Sequence, residues 1–79
     1  MLEEILKYYP DEQLLKADGL DDAVIGVDWS SMRLIYSVKK CVDILSEYMT
    51  TEEAIEFFDY NLRQSWVGEK TPIWCEDDF

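Results

Sequence analysis

An α+β fold is predicted: a small antiparallel sheet, made of a hairpin and a C-terminal edge strand, packed against two main helices, with a short N-terminal helix. Three observations predict it. Two β-branched runs, at residues 23–27 and 33–36, flank a five-residue segment of hairpin-loop length. Apolar residues then recur at helical spacing from Val38 to Trp66. A further short run with strand character occupies residues 71–75.

Leu2, Ile5, Leu6 and Tyr9 follow the i, i+3, i+4, i+7 rule and mark an amphipathic helix. Pro10 limits it, because a proline forces the preceding residue out of the α region. Asp11 is placed to cap a second short turn through Gln13, Leu14 and Leu15, and Asp18-Gly19 supplies turn chemistry. In the first strand Gly26 marks a bulge or a close approach by another element. The loop Asp28-Trp29-Ser30-Ser31-Met32 then leads into Arg33, Leu34, Ile35 and Tyr36.

Ser37 is a good N-cap for a helix whose inner stripe is Val38, Cys41, Val42, Leu45, Tyr48 and Met49. Thr50 and Glu53 have capping-box spacing, and the acids Glu52 and Glu53 complement the dipole of the helix they open. That helix carries Ile55, Phe58, Leu62 and Trp66 on one face, flanked by Phe57, and is expected to stop near Gly68. Pro72 has no amide proton, so the last strand belongs at a sheet edge. Most of Tyr48, Phe57, Phe58, Trp66 and Trp74 are expected in the core.

At 79 residues a single domain is expected, covering the whole chain, with no repeats or linkers. A chain of this size buries only about 60% of its unfolded surface, so a monomer of modest stability or a homodimer follows. Cys41 and Cys75 fit no metal or redox spacing; two buried thiols is the plainer reading, a disulfide the alternative. No secretory leader or apolar run of about 20 residues is visible, so a cytoplasmic, soluble chain is expected.

The formal charge is −11, with eighteen acids against seven bases and no histidine. Residues 1–31 and 50–79 each hold eight acids and two bases, while residues 32–49 hold two acids and three bases. Direct binding to nucleic acid or an anionic membrane needs clustered Lys and Arg and is disfavoured. What remains is a basic protein surface or a cation.

Catalysis has little support. No histidine can serve as general base, no lysine sits near a serine in a recognisable arrangement, and no glycine-rich loop cradles phosphate. No enzyme and no cofactor are expected. Asp21-Asp22 reads as a solvated turn. Asp18, Asp21, Asp22 and Asp28 are hard oxygen ligands for Ca²⁺ or Mg²⁺, but their spacing is not that of an EF-hand, and scattered acids is the plainer reading. Two features point to protein binding. Trp29 lies mid-loop beside an acid, where it either packs over the hairpin or anchors a partner. Glu52, Glu56 and Asp59 fall along one side of a helix, and Glu3, Glu4, Asp11 and Glu12 form a second acidic group. Such rows of carboxylates either solvate a surface or imitate a phosphate backbone.

The stretch Val67-Gly68-Glu69-Lys70-Thr71-Pro72, with Phe57-Phe58-Asp59-Tyr60-Asn61, Glu52-Glu53-Ala54-Ile55 and residues 18–26 (Asp18-Gly19-Leu20 through Gly26), resembles a group of small, acidic, uncharacterised proteins of tailed bacteriophages and prophages. The resemblance spans about residues 18–75 and carries no assigned catalytic residue. It implies a phage origin and a host-cell cytoplasmic location. Combined with the charge, it leads to an expectation of an acidic interaction protein that binds and inhibits a basic host protein. A nucleic-acid-binding defence complex such as a CRISPR effector is the natural target, with Trp29, Glu52, Glu56 and Asp59 as the interface. The alternative is a structural or housekeeping phage protein, with a homodimer as one form open to it, whose acidity serves only solubility.

Overall fold

The computed structural model describes residues 1–10 and 14–77, so the expected Asp11 cap, Glu12 and the terminal Phe79 lie outside the described residues. Along the chain come α1 (Leu2–Tyr8), a single 3₁₀ turn (Asp21–Ala23), β1 (Val24–Asp28) and β2 (Arg33–Ser37). They are followed by α2 (Val38–Leu45), α3 (Thr51–Phe58), a π-helical turn (Asp59–Arg63) and β3 (Ile73–Cys75). The class is α+β, as the sequence predicts.

The sheet has the order β1-β2-β3. β1 and β2 form the expected antiparallel hairpin, and the register slips between Val24 and Gly26, so the bulge falls where the glycine suggested it. β3, by contrast, runs parallel to β2, pairing Ile35 with Ile73 and Tyr36 with Trp74. The sheet is therefore mixed rather than wholly antiparallel. The reason lies in the connection: two helices between β2 and β3 carry the chain back to the starting end of β2, and such a crossover delivers a parallel strand. β3 is an edge, and Pro72 immediately precedes it, as its missing amide requires.

Alternation along β2 turns Leu34 and Tyr36 inward, where both are fully buried. They meet Leu2, Ile5, Leu20, Ala23, Val24, Cys41 and Phe58 in one core. Burying each larger side chain contributes about 1.5–3 kcal/mol. Trp74 closes the core from β3, with its ring centroid 5.2 Å from Tyr36 and 5.2 Å from Phe58, the latter edge-on at 84°.

Two helix starts form as expected. The Ser37 hydroxyl accepts the Lys40 N–H at 3.1 Å and donates to Asp77 at 2.7 Å, which satisfies a fully buried polar group. At α3 the Thr50 hydroxyl accepts the Glu53 N–H and the Glu53 carboxylate accepts the Thr50 N–H, both at 3.2 Å, completing the capping box.

The expected aromatic core needs correction. Phe58 is buried and Trp74 half-buried, but Tyr48 is 80% and Trp66 71% exposed, and Phe57 is also exposed. α2 ends at Leu45, where the Ser46 hydroxyl turns back onto the Val42 carbonyl, so Tyr48 falls beyond the helix. After Phe58 the helix widens into the π turn, which changes the angle per residue, and helical structure ends at Arg63 rather than near Gly68. Leu62 stays against the core while Trp66 does not. Gly68, at φ +110°, instead shapes the loop leading to β3, where Thr71 donates its backbone N–H to the Gly68 carbonyl. Both cysteines are free thiols: Cys41 is buried and Cys75 half-buried.

Candidate functional site

α3 places its carboxylates by simple helical arithmetic. Ala54 and Phe58 are its buried residues, so the opposite side, at about 100° per residue, carries Glu52 and Glu56 in i, i+4 succession. Successive members of such a row sit about 6 Å apart along the axis. Glu52 and Glu56 are exposed, and among the described residues neither forms an ion pair. The capping box fixes the end of the helix from which they project.

Asp59 is in a different state. It is half-buried, and its carboxylate pairs with the Nε of Arg63 at 3.2 Å in an i, i+4 bridge. Arg63 also bridges Glu76 and lies over the Phe58 ring, 5.3 Å from its centroid. A carboxylate already neutralised by an arginine has less to offer a partner's cation. The expected set therefore divides: Glu52 and Glu56 are presented, and Asp59 is held.

Trp29 projects from the hairpin turn with 75% of its surface exposed, so it does not pack back over the strands. The turn around it is tied down. Asp28 accepts from the Ser30 hydroxyl at 2.7 Å, the Ser31 hydroxyl at 2.9 Å and the Ser30 N–H at 3.2 Å. The Ser30 and Ser31 hydroxyls hold the Asp28 carboxyl below the usual carboxylate range, keeping it an ionised acceptor. Met32 takes the left-handed conformation, φ 54°, that closes the loop. Lys70 donates to the Ser31 carbonyl at 3.2 Å, and Arg33 Nε donates to the Thr71 carbonyl at 2.6 Å, so the hairpin end is fastened to the loop before β3. A large side chain on a pre-ordered turn loses little freedom on binding. Trp29 and the α3 acids belong to separate elements, α3 packing against α2 and its own π-helical continuation.

The other acids scatter. Asp21 and Asp22 form an exposed 3₁₀ turn, Asp18 sits in the preceding turn, and Asp28 is committed to its serines. Among the described residues no three acidic, cysteine or histidine side chains come together as a metal-binding group. Glu3 and Glu4 are exposed in the first turn of α1. No helix among the described residues is long and apolar enough to cross a membrane.

Sequence reasoning missed Tyr60 and Trp66. Tyr60 is 82% exposed on the π turn that follows α3. It also missed a cleft of ≈ 410 Å³ between α2 and α3, lined in part by Val38, Val42 and Ile55. Ile55, which the helical stripe predicts on the inner face, is 47% exposed.

Comparison with protein-family models, with characterised proteins and with solved structures finds no match.

Proposed function

We propose that this chain is an acidic interaction protein of phage type that binds and inhibits a host protein. The target class is one that handles nucleic acid through a basic surface, with a defence complex such as a CRISPR effector as the leading example. The observation that carries this reading is the exposed pair Glu52 and Glu56 on a capped helix, neither forming an ion pair among the described residues. A rigid row of carboxylates meets Lys and Arg that otherwise hold phosphates, and excludes the nucleic acid sterically and electrostatically. Trp29 adds an aromatic anchor of the kind that dominates protein interfaces. Electrostatic attraction raises the association rate and weakens as salt rises. Inhibition in this scheme is occupancy of a site and uses no chemistry.

The test is affinity capture from bacterial lysate at low and high salt, with the native chain and with Glu52→Lys/Glu56→Lys. Retention of a nucleic-acid-handling protein by the native chain at low salt, lost in the variant, supports the proposal. Capture and inhibition unchanged by the double reversal would sink it.

A second reading, a structural phage protein that dimerises, draws on the outer face of the sheet. Register and alternation put Ile35 and Ile73 on the side away from Leu34 and Tyr36, and both remain partly exposed outside the core cluster. Light scattering that gives twice the monomer mass at micromolar concentration favours this reading.

A further inference from the structure

We infer that the cleft between α2 and α3 is a docking groove for a cationic amphipathic helix of a protein partner. This rests on the reading of the chain as a binder of basic proteins, and it names the structural form of the segment that is bound.

Three aliphatic side chains form the apolar part of the cleft: Val38 and Val42, one turn apart on α2, and Ile55 on α3. The valines pack against the core on one side and remain half-exposed on the other, while Ile55 is 47% exposed and takes no part in the core cluster. The space between the helices is ≈ 410 Å³. Its contents decide the ligand class. The charged side chains lining it are Asp43 on α2, bridged by Lys39 at 3.0 Å, and Glu76 and Asp77 on the segment after β3; Arg63, outside the cleft, bridges Glu76, and Asp77 accepts from the Ser37 hydroxyl, so the lining itself holds three acids to one base. An apolar floor with an acidic border suits a helix with an aliphatic stripe flanked by Lys or Arg, the established helix-in-groove arrangement.

Position on α3 joins the groove to the acidic face. Ile55 is three residues from Glu52 and four from Asp59, so all three lie on neighbouring rows of the helix surface. A helix seated against Ile55 brings its flanking cations within reach of Glu52. A second copy of this chain is a poor occupant, because it would bring another −11 to an already acidic rim.

The test uses the full chain, labelled with ¹⁵N, and a synthetic helical peptide of Leu and Lys in which Leu recurs at i, i+3, i+4, i+7. Two control peptides are a scrambled sequence of the same composition and a version with Glu in place of Lys. The patterned Leu/Lys peptide is expected to shift the amides of Val38, Val42 and Ile55 most, and to bind at least about tenfold more tightly than either control. Ile55→Lys, at an exposed position, is expected to weaken it about tenfold, and Ile55→Ala by a few fold with helicity retained. Equal binding of patterned and scrambled peptides overturns the inference. So do shifts centred elsewhere, or an affinity untouched by Ile55→Lys in a folded variant. If Ile55→Lys has no effect while Glu52→Lys/Glu56→Lys abolishes binding, the groove is wrong and the acidic face stands. If the double reversal leaves capture of the host protein unchanged, the broader reading fails on its own.

Discussion

The hydroxyl oxygen of Tyr36, at the centre of the sheet, accepts the backbone N–H of Ala17 at 2.8 Å across nineteen residues of sequence. Tyr36 is fully buried, and this bond fastens the segment before the 3₁₀ turn to the core. Tyr36→Phe keeps the ring but leaves the Ala17 N–H without its acceptor. The expected loss is about 1–2 kcal/mol in urea unfolding. Hydrogen exchange should speed at Ala17 and leave α2 unchanged.

The capping box gives a second measurable quantity. Thr50→Ala removes the acceptor for the Glu53 N–H at the start of α3. A loss of about 1 kcal/mol is expected, seen as a lower urea midpoint with the slope unchanged. Thr50→Ser, which retains the hydroxyl, should lose much less.

Stability should fall on the alkaline side. Burial pushes the Cys41 thiol up to about 12, with the negative charge of Asp77 adding to the rise. Burial also raises the Tyr36 hydroxyl above 10.0, although the Ala17 N–H opposes it. In the unfolded chain the thiol ionises near 9.0, so between that pH and about 12 the unfolded state sheds a proton that the folded state keeps. The contribution is whole below pH 9.0 and declines as pH climbs toward about 12. Melting temperature is expected to hold to about pH 9 and then drop, and Cys41→Ala should flatten the drop. A thiol reagent at pH 8 should modify Cys75 in the native protein and reach Cys41 only in denaturant.

Charge reversal on α3 separates binding from folding. Glu52→Lys/Glu56→Lys alters exposed groups without ion pairs among the described residues. The helix dipole penalises a cation in the first turn, so a stability loss of up to about 1 kcal/mol is expected by denaturant titration. Any larger fall in affinity for a basic partner then belongs to the interface.

Asp28 offers a test of the hairpin turn. Its carboxyl, lowered by the Ser30 and Ser31 hydroxyls, is expected to titrate below 3.8 by carboxyl ¹³C shifts. Because the folded value is depressed, the associated stability is present above that pH and disappears as pH falls through the folded value. Asp28→Ala should remove the clasp and increase the mobility of Trp29, read by time-resolved fluorescence anisotropy with Trp66 and Trp74 replaced by Phe.

Local chemistry was the legible part of this fold. Ser37, Thr50 with Glu53, and Gly26 each act within a few residues of themselves, and the caps and the bulge were readable from those residues alone. The direction of β3 was not, because it depends on how two helices pack rather than on Ile73, Trp74 and Cys75. The fate of the aromatics was lost for a related reason. Tyr48 and Trp66 fit a helical stripe extended past its true ends, and nothing in the spacing announced the π turn at Asp59–Arg63. On the candidate surface, exposure of Glu52 and Glu56 followed from their positions opposite Ala54 and Phe58. The pairing of Asp59 with Arg63 has i, i+4 spacing, so it too is readable from the local sequence.

β2 has one partner that arrives early and one that arrives late. The hairpin closes over a four-residue turn, whereas the Arg33 bond to Thr71 joins groups 38 residues apart. During synthesis at the ribosome the first seventy residues emerge with one side of β2 unpaired and Phe58 lacking its Trp74 neighbour. Folding to completion therefore waits for the last strand to clear the exit tunnel, and a nascent chain stalled before Trp74 should be open to protease where the released protein is not.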